Sequence, residues 1–76
     1  MSQLEFTEEV LRMAYADKPM HIRKGQAVFN YIEEHYGGVA RIVQFIDEID
    51  CFYNDDYIIP FINAVYDRIT GAQVSY

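Results

Sequence analysis

One cysteine and six basic residues are what this 76-residue chain has least of, and each scarcity excludes something. Cys51 alone cannot form an intramolecular disulfide, so a small fold must be held by packing, helped if need be by self-association. Six Lys and Arg against twelve Asp and Glu leave a formal charge of −6, which repels phosphate backbones and anionic lipid surfaces. No apolar run approaches the ~20 residues that a membrane-spanning helix requires. The opening Met1-Ser2-Gln3-Leu4-Glu5 lacks the basic start and apolar stretch of a secretory signal. With the unpaired cysteine this points to a reducing compartment, and a cytoplasmic location is expected. No repeat, low-complexity tract or linker interrupts the chain, and one helical domain over residues 1–76 is expected.

What is present is enough to fold. Half of the residues (51%) are hydrophobic and 16% are aromatic, far more than a disordered acidic segment carries. A chain of this length buries only about 60% of its unfolded surface, so the core must be small. Four helical patterns follow one another. The first spans about 4–16: Ser2 and Glu5 have the spacing of a capping box, with Thr7, Glu8 and Glu9 as a second possible start. Phe6, Val10, Met13 and Ala14 recur at steps of three and four and form its apolar stripe. Glu8 and Arg12 sit one turn apart outside, and Lys18-Pro19 stops the helix.

The second pattern, about 23–36, aligns Ala27, Val28, Tyr31, Ile32 and His35, while Glu33 and Glu34 face water. Gly37-Gly38 ends it, and Gly25 near its start suggests close approach of another helix. The third, about 39–49, is short and rich in β-branched residues. Ile42, Val43, Phe45, Ile46 and Ile49 cover well over half of its circumference, so it is expected to be the most buried element. The last, about 57–69, has Ile58, Phe61, Ile62, Val65, Tyr66 and Ile69 at regular helical spacing. Asn54, Asp55 and Asp56 are its candidate caps, Pro60 fits its first turn, and Gly71 closes it ahead of a tail that frays. The fold class expected is therefore all-α, a compact bundle of four short helices.

Between the third and fourth patterns lies a hinge, Asp47 to Tyr57, with five acidic residues and three aromatics. Charge of that density stays in water, and rigid aromatics beside it have the composition of interface hot spots. Asp47, Glu48, Asp50, Tyr53, Asp55, Asp56 and Tyr57 are accordingly the candidate partner-binding residues. Arg23 is expected to pair with Asp50. Tyr31, Tyr36 and Tyr66 fit positions at the edge of the core.

Chemistry finds less support. Cys51, His35 and an aspartate could be written as a nucleophilic set, but nothing in their spacing enforces it, and Cys51 beside Phe52 reads as a small core residue. The hinge lacks the ligand alternation, central glycine and closing glutamate of a calcium loop. His21 and His35 lack the company of a zinc site. No enzyme activity, cofactor or metal is expected. The second and third helices could form a helix-turn-helix, but Arg41 and Gln44 stand beside Asp47 and Glu48, and the basic run His21-Ile22-Arg23-Lys24 is short. Direct nucleic-acid binding is not expected.

Arg23-Lys24-Gly25-Gln26-Ala27-Val28-Phe29-Asn30, then Asp50-Cys51-Phe52-Tyr53-Asn54-Asp55, then Ile58 and Phe61, resembles short reading frames of bacteriophage and prophage genomes. They read R-x-G-Q-A-h-h-N…D-x-F-Y-x-D…I-x-x-F, and the likeness covers roughly the central half of the chain. It implies no catalytic residue. It implies a small phage-borne accessory factor acting in the host cytoplasm on host machinery, defence systems included. The function expected is therefore an acidic protein-interaction module that binds and inhibits a host protein with a basic surface, of which an anti-CRISPR protein is one concrete form. A homo-oligomeric structural module and a small helix-turn-helix regulator are the alternatives.

Overall fold

A reciprocal cap starts the first helix. In the computed structural model, which describes residues 2–16 and 18–71, the Glu5 amide donates to the Ser2 hydroxyl at 3.1 Å and the Ser2 amide to the Glu5 carboxylate at 2.8 Å. The Ser2 contacts hold the Glu5 carboxyl below its ordinary range. Helix α1 runs over Gln3–Ala16, and Phe6 and Val10 are its buried residues. Met13, expected in the same stripe, is exposed, and the Arg12 guanidinium lies 3.7 Å from its sulfur rather than on Glu8.

Helix α2 covers Lys24–Tyr36 and turns through Gly37, at φ +65°, directly into α3 over Val39–Phe45. The Arg41 guanidinium of α3 donates to Glu33 of α2 at 2.6 Å across this turn. A 3-10 turn, Asp55–Tyr57, leads into α4, Ile58–Thr70. Asn54 caps the 3-10 turn by accepting from the Asp56 amide at 2.9 Å. Pro60 occupies the first turn of α4, where its missing N–H costs nothing. Gly71, left-handed at φ 73°, closes the helix. The tail at 72–76, expected to fray, lies outside the described residues.

The four helices form a compact all-α bundle in which α1 packs on α2 and α4, and α3 packs on the same two helices. Val28, Ile32, Val43, Phe61, Ile62 and Val65 are fully enclosed where they meet. Phe6 reaches Tyr36 and Tyr66, with ring centroids 5.8 and 5.4 Å apart, and pins α1 to α2 and α4. Tyr31, Tyr36 and Tyr66 sit half-buried at the edge of this core. His35, aligned by periodicity with the buried side of α2, is exposed and stacks on Tyr31 at 4.3 Å.

Helix α3 departs most from expectation. It ends at Phe45 instead of running to residue 49, and only Ala40 and Val43 of its residues are buried. Glu48 adopts φ 59° and turns the chain, so the Ile49 amide bonds back to the Val43 carbonyl at 3.2 Å. A left-handed residue stops a helix in the manner usual for glycine. Because α2 and α4 cover one side of a seven-residue helix, Ile42 and Phe45 are left exposed, and so is Ile46 just past its end. Ile32→Ala should therefore lower stability by about 3 kcal/mol, and Ile46→Ala by less than about 0.5 kcal/mol, in urea denaturation. Equal losses at the two positions would place Ile46 in the core.

Candidate docking surface

The segment between α3 and α4 is organised by contacts with α2. A Cβ added to Gly25 would overlap the Cys51 carbonyl oxygen and stand 2.7 Å from the Asp55 carboxylate. The close approach at Gly25 is thus made by the hinge backbone, not by another helix. Asp55 Oδ1 accepts the Gly25 amide at 3.0 Å. Arg23, the residue that caps α2, makes no side-chain cap of its own, so a carboxylate thirty positions away satisfies the helix start. The Cys51 thiol, fully buried, donates to the Gly25 carbonyl at 3.3 Å. Burial, with help from Asp50, pushes that thiol up to about 12, so it is neutral at any physiological pH.

Arg23 does not pair with Asp50. Its guanidinium donates to the Phe52 carbonyl and lies 3.9 Å from Asp55. Asp50 is occupied locally, accepting the Phe52 amide at 2.8 Å to shape the turn. The two halves of the pattern quoted above, Arg23 to Asn30 and Asp50 to Asp55, therefore meet in space. Phe29 continues the contact, its ring 5.3 Å from Phe52 and 5.7 Å from Phe61.

The seven candidate residues do not form one acidic surface. Asp47 is held by both nitrogens of an Arg68 fork, at 2.9 and 2.6 Å, on the α4 side. Asp55 is committed to the start of α2. Glu48 and Asp56 point into solvent. Tyr57 is exposed at the start of α4. Asp50 and Tyr53 share a surface feature, an open groove of about 430 Å³ bounded also by Phe29, Arg41, Phe45 and Phe52.

What sequence reasoning missed is the apolar side of α3. Phe45, Ile46 and Ile42 are 70, 69 and 41% exposed at positions three and four apart, and Tyr53 across the groove is 72% exposed. The signal was there: a helix apolar over most of its circumference cannot be covered by two neighbours. Large apolar side chains gathered on one exposed side of a helix are the kind of surface that marks interaction sites. Among the described residues no group of three His, Cys, Asp or Glu side chains could hold a metal, and no helix is long and apolar enough to cross a membrane.

Gly25→Ala would gain helix propensity but must push the Cys51 carbonyl aside. The clash should win, with a net loss of about 3 kcal/mol in thermal or urea unfolding, whereas a neutral effect would show the hinge free to move. Asp47 should titrate below the ordinary aspartate value, because the Arg68 hydrogen bonds favour its charged form. Its contribution to stability is then present above the unfolded pKa of about 4 and is lost as pH falls through the lower folded value. Carboxyl-carbon NMR titration checks this, and Arg68→Ala should return Asp47 to the ordinary range. Comparison of the chain with protein-family models, with curated proteins and with solved structures yields no match.

Proposed function

We propose that this protein is a protein-interaction module that docks through the outward side of α3 and the neighbouring aromatic hinge. The observation that carries the reading is the set Ile42, Phe45, Ile46 and Tyr53, large apolar side chains left exposed beside Glu48 and Asp50. Such a face has the anatomy of an interface centre, an apolar patch with a charged rim. The rim and the overall charge of −6 fit a partner whose own apolar surface is edged by Lys and Arg. A second copy of the chain fits poorly, since it would bring two strongly acidic bodies together. The side of α3 made by Ile42, Phe45 and Ile46 offers neither donors for base edges nor charge for phosphates, which disfavours a regulator that reads DNA.

In its more specific form the partner is a host protein, and the module acts as a phage-encoded inhibitor. By covering a basic groove that otherwise takes nucleic acid, it would disable a defence component, as an anti-CRISPR protein does. The resemblance to phage reading frames and the acid excess support this form.

The test uses Ile42→Ser/Ile46→Ser, which removes exposed apolar surface without opening the core, and Ile59→Ser on α4 as a control of similar exposure. Proteins of a bacterial host retained by the wild type should be lost with the double variant and kept with the control. The retained protein should lose nucleic-acid binding when the module is added. Retention indifferent to the double variant would exclude the α3 face, and light scattering that finds a stable dimer would replace the partner by a second copy.

A further inference from the structure

Every Lys and Arg side chain of this protein is already engaged within it. Arg41 is on Glu33, Arg68 on Asp47, and Arg23 on Phe52 and Asp55. Lys18 donates to the Ile22 carbonyl at 2.8 Å, Arg12 lies on Met13, and Lys24 stands 6.0 Å over the Tyr15 ring. That accounts for all six Lys and Arg. The groove between α3 and the hinge nevertheless has the chemistry of a cation site.

Four aromatic rings border that groove. Phe29 forms its floor, nearly buried, and Phe52 stands edge-on to it at 5.3 Å. Tyr53 is 4.8 Å from Phe52 at a steep angle, and Phe45 supplies the exposed wall on α3. Asp50 adds a half-buried carboxylate with one lone pair taken by the Phe52 amide, out of about four. Aromatic faces with a carboxylate beside them attract a cation through the ring quadrupole and the formal charge together. Arg41, also on the groove wall, is drawn toward α2 by its 2.6 Å bond to Glu33.

We propose that this groove receives an arginine side chain of the docked partner. The guanidinium lies against Tyr53 and Phe45 and donates to Asp50. Arginine suits it better than lysine, because a planar, weakly hydrated cation stacks on rings while its edge donors reach a carboxylate. The inference rests on the docking reading above and names the side chain that anchors it.

The test needs no identified partner. Nα-acetyl-arginine amide is titrated into the isotope-labelled full chain, with Nα-acetyl-citrulline amide as the neutral shape-matched probe and Nα-acetyl-lysine amide as the third arm. Saturable shifts in the millimolar range are expected at Phe45, Phe52 and Tyr53, at least tenfold weaker for citrulline and severalfold weaker for lysine. Tyr53→Ala, at an exposed position, should weaken arginine binding about fivefold. Asp50→Asn, which keeps an acceptor for the Phe52 amide, should do the same or more. Matching curves for arginine and citrulline, no saturable shift, or arginine shifts untouched by both variants would overturn the proposal. Since Ile42 and Ile46 are not altered, an empty groove leaves the α3 docking test standing. Arginine binding with partner retention indifferent to Ile42→Ser/Ile46→Ser would instead fail the docking reading alone.

Discussion

The backbone at Cys51 runs so close to the first turn of α2 that a side chain at position 25 would have to displace the Cys51 carbonyl. Everything distinctive about the molecule follows from that contact. It brings the Asp55 carboxylate onto the Gly25 amide and the Cys51 thiol onto the Gly25 carbonyl, so one backbone position is gripped on both of its polar groups. It carries Phe52 onto Phe29 and thereby links the hinge to the core through Phe61. It also fixes the path of the chain between α3 and α4 at Cys51.

The acid excess looks different once these contacts are known. Asp47, Asp50 and Asp55 serve the fold first: one holds α4, one shapes a turn, one completes a helix start. These are charge-assisted hydrogen bonds to backbone amides and a guanidinium, so the acids in these places take part in the fold as well as in solubility. Surface negativity is left to residues such as Glu48 and Asp56, and recognition shifts from charge alone to apolar surface with charge at its edge.

Much of the architecture was legible from residue order. The Ser2 and Glu5 cap, the Gly37-Gly38 break, Pro60 in the first turn and Gly71 at the end are local signals, and local signals place helices. The end of α3 was not legible, because Glu48 does there what glycine usually does. Nor was its exposure: periodicity tells which residues share a side, not whether anything covers that side. The choice of Asp55 over Asp50 by Arg23 spans about thirty residues and depends on the Cys51 to Asp55 turn, for which no short-range pattern exists. Residue order thus marks the acidic hinge as a segment, while the pairing of Asp47 with Arg68 and of Asp55 with the start of α2 emerges only from the folded chain.

Asp55 belongs to two structures at once, since it opens the 3-10 turn that leads into α4 and caps α2. Its backbone forms the turn while its carboxylate holds the second helix, so unwinding the turn would carry that carboxylate away from Gly25. Fraying at the start of α4 therefore weakens the start of α2, even though the two are separated by most of the chain's middle. A small protein with no disulfide thus gains cooperativity from a shared knot rather than from the size of its interior.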